Sequence, residues 1–312
     1  MSVDQSKISW CDSTWNILRG CSMVSTGCTH CYAEAQAGRF SAPGQPYEGL
    51  ARKTSKGWKW TGEVRLIEKD LLVPLRWKKP RRIFVNSMSD LFHEAVPDEW
   101  ILRIFAVMES ARQHQFLLLT KRPERMRRFM LHASPWVRKV GYDTMGSTYA
   151  GGLGPWPPWN VWLGVSVENQ ATADARIPWL LRTPAAVRFI SAEPLLESID
   201  FSQYIGLYPM YENTQSRGTG LRSRNVGIIR DMHGRNYLEA CEDVSCRISN
   251  DLKNSQGRPQ EEAARHNRQL YGEAPKKQYA EERSRSISLV IIGGESGPKA
   301  RPCNLAWLRG VV

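Results

Sequence analysis

Five short runs of aliphatic, β-branched and aromatic residues recur along the chain: RRIFVNSMSDLF (81–92), HQFLLLTKRPERM (114–126), NVWLGVSVEN (160–169), VRFISAEPLL (187–196) and SLVIIGGESG (288–297). Each predicts a strand buried on both faces, as parallel strands are. Between them lie helical patterns. VPDEWILRIFAVMESARQ carries a start signal at Asp98 followed by apolar residues at helical spacing, and NQATADARIPWLLRT is a shorter helix that Pro178 should interrupt or bound. Nearer the N-terminus, STWNILRG offers a first strand and CYAEAQAGRF a first helix. Strands alternating with helices predict a parallel α/β sheet, open or closed into a barrel.

One stretch breaks the rhythm. From 203 to 286 the chain is polar, Arg-rich and poor in aliphatic runs, which predicts a partly disordered insertion in a main domain made of 1–202 and 287–312. Within it His233, Cys241, Cys246 and His266 are zinc-ligand types, but their irregular spacing matches no standard knuckle. No apolar run is long enough to cross a bilayer and the N-terminus has no signal pattern, so the expectation is a cytoplasmic protein without a membrane partner. With 312 residues, 41% of them hydrophobic, the chain can bury a full core. Its formal charge of +12 favours anionic partners, of which nucleic acid is the obvious large one.

Polar chemistry gathers where the predicted strands end. Asn86, Ser87, Ser89 and Asp90 close the first run; Thr120, Lys121 and Arg122 the second; Ser166, Glu168 and Asn169 the third; Ser191 and Glu193 the fourth; Gly293, Gly294, Glu295 and Ser296 the fifth. In a parallel barrel all of these lie on the C-terminal rim, where active sites are built. The plainer role for a residue such as Asp90 or Glu193 is to cap a helix or pair with arginine.

Seven cysteines, an odd number unevenly placed, suit metal or redox chemistry better than a disulfide framework. Three of them, Cys21, Cys28 and Cys31, cluster in RGCSMVSTGCTHCYAE. Tyr32 stands where a c-type haem motif needs histidine, and a thioredoxin-type pair would leave Cys21 idle. Structural zinc needs a fourth ligand and would have to recruit Cys11 or His30. An iron–sulfur cubane held by three thiolates leaves its fourth iron open to a ligand.

The runs STWNILRGCSMVSTGCTHCYAE, FVNSMSDLFHEAVPDEW, LLLTKRPERM, VWLGVSVEN, RFISAEPLL and VIIGGESGPKARP together resemble the phage-encoded three-Cys-motif family of radical-SAM-like proteins. The resemblance covers nearly the whole chain outside the insertion. It implies a partial TIM-type (β/α)6 barrel and a [4Fe-4S] cluster on Cys21, Cys28 and Cys31, with S-adenosylmethionine on the open iron. It further implies reductive cleavage of that ligand to a 5′-deoxyadenosyl radical that takes hydrogen from a substrate, a phage or host partner protein, and a bacterial cytoplasmic location. Two departures stand out. Six residues separate Cys21 from Cys28 where typical radical SAM enzymes have three, and the chain stops soon after ARPCNLAWLRGVV, where similar proteins continue through another helix and strand.

Under that resemblance the rim residues take roles as cofactor contacts. Ser87 and Asp90 would meet the amino group, Lys121 or Arg122 the carboxylate, and Ser166 or Glu168 the ribose, with Glu193 on the same rim. Gly293 and Gly294 would admit the backbone beside Glu295. For the substrate, LTKRPERMRRFM and SKGWKWTG mix basic residues with Trp58 and Trp60, as a surface that stacks bases and neutralises phosphates does. A solvated basic helix face and a tryptophan-packed loop explain the same pattern. GGLGPWPPWNVW, with Trp156, Trp159 and Trp162, reads as a loop over one end of the sheet. Two further functions stay open: a regulatory module whose cluster senses redox state, and a zinc-stabilised nucleic-acid-binding protein.

Overall fold

The protein is described from a computed structural model, in which residues 6, 8, 10–146, 156–201, 204, 227–230 and 287–292 are placed. Strand β1 (Ser13–Trp15) leads through β2 (Leu18–Arg19) into a cysteine-bearing loop and helix α1 (Tyr32–Arg39). A hairpin of β3 (Ala51–Thr54) and β4 (Gly57–Trp60) follows, then β5 (Arg65–Leu66), paired antiparallel with β2, and the short α2 (Val73–Arg76). The repeating part comprises β6 (Arg82–Val85), α3 (Asp98–Ser110), β7 (Gln115–Thr120), α4 (Pro123–His132), α5 (Ser134–Met145), β8 (Val161–Ser166), α6 (Gln170–Leu181) and β9 (Val187–Ala192). Strands β10 (Gly227–Arg230) and β11 (Leu289–Ile292) complete the sheet.

Every pairing in the seven-stranded sheet, ordered β1-β6-β7-β8-β9-β11-β10, is parallel. From β1 to β11 the order follows the chain in one direction. A doubly wound sheet reverses at a switch point; one-way winding is that of a barrel. Here β1 and β10 remain at opposite edges, so the expected α/β fold is a partial barrel. Strand β10 lies inside the polar stretch 203–286 yet pairs with β11, Gly227 opposite Leu289. Its apolar content is a single Ile-Ile pair, too short to register as a strand pattern.

The pleat sends successive residues to opposite faces. Ile83, Val85, Phe116, Leu118, Leu163, Val165 and Ile190 join the main core with Ile101, Ile104, Phe105 and Met108 of α3 and Ile177 and Leu180 of α6. Phe84, Leu117, Trp162, Phe189 and Ile291 form a second cluster on the other, inner face, where Trp10 packs 4.5 Å from the Phe84 ring. Asp98 opens α3 as expected. Pro178 corrects the expectation of a break: α6 runs through it, and Arg182 N–H reaches the Pro178 carbonyl at 3.3 Å. The buried flanks Ile177 and Leu180 hold the helix against the core, and the missing N–H falls in its last turns.

Candidate metal and cofactor site

The loop that follows β2 carries all three clustered cysteines to the C-terminal end of the sheet. Cys28 ends a short 3-10 turn, Thr26–Cys28, and Cys31 occupies the position before α1. All three are free thiols, each half-buried. Cys21 and Cys31 lean on an apolar cluster that includes Ala33, Ala37 and Met88. Burial, with the Asp90 carboxylate adding to it and the Arg122 guanidinium opposing, pushes the Cys21 thiol up to about 12. Burial raises Cys31 as well, against backbone donors at Glu34 and Ala33. Cys31 lies within electrostatic reach of both Cys21 and Cys28.

The β3–β4 hairpin buttresses α1. Glu34 is buried and accepts from Lys59 Nζ at 2.6 Å and from the Trp60 N–H at 3.2 Å. Trp58 lies so close over Gly38 that a Cβ there would meet its ring at 2.2 Å. The tryptophans and lysine of SKGWKWTG therefore secure the cysteine helix, and Trp60 is buried.

Two rows of side chains crown the strand ends. In the outer row Asp90 accepts four hydrogen bonds: Oδ1 from Phe92 N–H (2.9 Å) and Thr120 Oγ1 (2.7 Å), Oδ2 from Lys121 N–H (3.1 Å) and Arg122 Nη1 (3.0 Å). Arg122 continues through Nε to Glu94 (2.8 Å) and through Nη2 to Ser22 Oγ (2.8 Å), beside Cys21. Ser22 Oγ also meets His93 Nε2 at 2.8 Å. His93 Nδ1 accepts the Ala95 N–H, so the proton resides on Nε2. Ser87 donates to Asn16 Oδ1 at 3.1 Å, and its carbonyl accepts from the Tyr32 hydroxyl at the start of α1.

The inner row follows from the register. Gly164 pairs with Leu119 on one side and Phe189 on the other, Ser166 pairs with Ser191, and Lys121 extends that parity past the end of β7. Lys121 Nζ donates to Ser166 Oγ at 2.5 Å and stands 3.5 Å from Glu168 Oε2. Ser166 Oγ in turn donates to the Glu193 carbonyl at 3.2 Å, and Ser191 Oγ to the Glu193 carboxyl at 3.1 Å. Burial pushes the Glu193 carboxyl up, against hydrogen bonds from Ser191 and Trp10. Glu168 is fully buried; burial alone would raise it, but Lys121 and Arg176, with bonds from Ser25 and Arg176, hold it below its ordinary value.

Among the described residues no three Cys, His, Asp or Glu side chains converge on a single metal ion. A tetrahedral zinc site needs its sulfurs about 3.8 Å apart, from Zn–S bonds of about 2.3 Å. In a cubane each thiolate takes its own iron, a wider spacing. The chemistry of the donor set fits the cluster: three free thiols on one loop, partly shielded from water, with the Arg122 guanidinium opposing the burial that raises Cys21. Asn86 adds an unsatisfied group at the end of β6. Its Oδ1 accepts the Leu18 N–H, while its buried Nδ2 meets no partner among the described residues.

The basic surface expected of LTKRPERMRRFM is largely turned inward. Arg122 is committed to Asp90 and Glu94, Arg125 to the His93 and Val96 carbonyls and Asp98, and Arg127 lies over the Trp179 ring. Trp156 packs on Phe105 and donates to the Met130 carbonyl. Asn169 caps α6 in a reciprocal box with Thr172. Cys11 donates to Ser6 and packs with the inner-face cluster. Gly293, Gly294 and Glu295, and the zinc-ligand types His233, Cys241, Cys246 and His266, lie outside the described residues. Sequence reasoning missed Ser22, Ser25, Gly27, His93 and Arg176. Only the length of the loop between Cys21 and Cys28 hinted that it needed anchors.

The chain belongs to the family described as "Protein of unknown function (DUF5131)", whose profile matches residues 5–312. No functionally curated protein matches it. Among solved structures, it is similar to a double mutant of spore photoproduct lyase with bound AdoMet and dinucleoside spore photoproduct, at TM-score 0.34 and 10% identity over 62% of this chain and 50% of that one. It is also similar to spore photoproduct lyase complexed with dinucleoside spore photoproduct, at TM-score 0.33 and 11% identity over 62% and 48%. The chain thus spans about half the length of those structures. Among the described residues no helix is long and apolar enough to cross a membrane.

Proposed function

We propose that this member of the DUF5131 family is an iron–sulfur protein that binds S-adenosylmethionine and starts radical chemistry on a further substrate. The observation that carries the reading is the placement of three free thiols on one loop at the C-terminal end of a sequentially wound parallel sheet, tied there by side chains from other strand ends. Cys21, Cys28 and Cys31 would hold a [4Fe-4S] cluster. When bound, that group supplies an electron to S-adenosylmethionine, whose reductive cleavage gives 5′-deoxyadenosine after hydrogen transfer.

The chain's own residues divide the remaining work. Lys121 Nζ, partly exposed at the inner row with three N–H donors, would meet the methionine carboxylate. Ser166 and Glu193 line the same row, where burial raises the Glu193 carboxyl above its ordinary value. Trp10, Phe84 and Phe189 close the floor against water. Asp90 and Arg122 use their hydrogen bonds within the protein and so position the rim. The wider resemblance would place the protein in a bacterial cytoplasm, encoded by a phage and acting with a phage or host partner.

Anaerobic reconstitution with iron and sulfide tests the reading. About four irons per chain are expected, with visible absorbance that Cys21→Ser, Cys28→Ser or Cys31→Ser abolishes. Dithionite and S-adenosylmethionine should then release 5′-deoxyadenosine. Stoichiometric zinc with no iron uptake overturns the cluster, and a loaded, reduced cluster that releases nothing overturns the radical chemistry.

A further inference from the structure

We infer that Glu168 is the positioning residue that sets Cys28 for metal binding, independently of the Arg122 anchor that sets Cys21. What is positioned rests on the iron–sulfur reading of the thiols; the positioning itself rests on hydrogen bonds within the protein.

A six-residue connection between two ligands is free to place the second in many ways unless something fixes it. Its apex is loose in character: Met23 and Val24 are 63% and 43% exposed. Its two ends are not. At the near end Ser22 Oγ accepts from Arg122 and His93. At the far end the Ser25 hydroxyl and the Gly27 N–H, the latter at 3.3 Å, both donate to Glu168 Oε1.

Those two donors bracket the start of the turn that delivers Cys28. Ser25 occupies its cap position, where a serine side chain ordinarily accepts from the turn's own N–H groups. Here it makes no such bond; it reaches instead to a carboxylate 143 residues away. Glu168 replaces the local cap, and its negative charge suits the N-terminal end of a turn.

Glu168 is itself held rigidly. Its Oε2 accepts from Arg176 Nη1 at 2.8 Å, its N–H donates to Thr172 Oγ1 at 3.0 Å, and its carbonyl accepts the Leu196 N–H at 2.8 Å. Contact with the loop is close enough that a Cβ on Gly27 would lie 2.9 Å from the carboxyl carbon. Only glycine at 27 admits this approach without displacing the loop. Glu168 acts on the metal site through Ser25 and Gly27.

Alkylation of the metal-free, reduced full-length protein, with each cysteine followed by peptide mass spectrometry, tests the inference without any cluster. Ser25→Ala and Gly27→Ala should each speed Cys28 labelling about tenfold, as expected for losing a hydrogen bond to a charged group, while Cys21 keeps its wild-type rate. Ser22→Ala should do the reverse, speeding Cys21 and leaving Cys28 unchanged. Reconstituted iron content should fall in all three variants. Unchanged Cys28 labelling in Ser25→Ala and Gly27→Ala, or equal acceleration of all three thiols with a lowered Tm, overturns the inference. A wild-type protein that takes up no iron yet shows the selective pattern refutes the cluster reading and leaves the positioning role standing.

Discussion

The outer row of Asp90, Thr120 and Arg122 and the inner row of Lys121, Ser166, Ser191 and Glu193 crown one edge of the sheet and meet a residue apart at the end of β7, yet they differ in saturation. Both oxygens of Asp90 accept two hydrogen bonds each, and Arg122 bonds through Nε, Nη1 and Nη2. Nothing in that network waits for a ligand. In the inner row Lys121 retains 19% side-chain exposure, and Glu193 carries a carboxyl that burial drives toward its neutral form. Charged residues of the same kinds thus serve as framework on one face of the pleat and as candidate ligand contacts on the other.

Breaking the outer row should have the largest effect. Arg122→Met leaves the Asp90 carboxylate buried without its cation, a change that costs about 3–5 kcal/mol when a buried pair loses one partner. Urea denaturation should show that loss, and a cost under about 1 kcal/mol would mean the network is not framework. Lys121→Met should behave differently. Glu168 keeps Arg176, so stability should fall by about 2 kcal/mol or less. Affinity of the reconstituted protein for S-adenosylmethionine, by titration calorimetry, should drop tenfold or more through loss of a charge-assisted hydrogen bond. If Lys121→Met unfolds the protein as Arg122→Met does, the distinction between the rows collapses.

Much of the fold was legible because its central strands are buried on both faces and therefore read as apolar runs, from Ile83 to Val85 and Phe116 to Leu118, with Arg188 and Ser191 the polar exceptions in β9. The cysteine cluster was legible from spacing alone. Division of labour on the rim was not. Thr120, Lys121 and Arg122 are consecutive polar residues, and only the parity of β7, fixed by its pairing with β8, turns Lys121 inward. Loop anchors were equally hidden, since Arg122 lies 100 residues from Ser22 and Glu168 141 from Gly27. For Trp58 and Trp60 the structure shows the second of the two expected roles, packing within a loop. Alternation along ARKTSKGWKW, broken by a Gly57 at φ +104°, is the mark of a hairpin, and that hairpin secures α1.

The smallest expected effect concerns Glu193, and it separates the rows by pH. Burial raises its folded carboxyl above the ordinary 4.5, against the Ser191 and Trp10 bonds. Between those values the folded chain holds a proton that the unfolded chain releases, so stability falls as pH rises through the window and stays lower above it. Glu193→Gln removes that dependence: the two proteins should match most closely near pH 4, and the variant should be the more stable at neutral pH. Glu168 runs the other way. Its folded carboxyl is depressed, so its contribution is present above 4.5 and lost as pH falls through the lower folded value. Denaturation midpoints of wild type and Glu193→Gln from pH 4 to 8 should therefore diverge upward, and parallel curves would return Glu193 to the framework with Asp90.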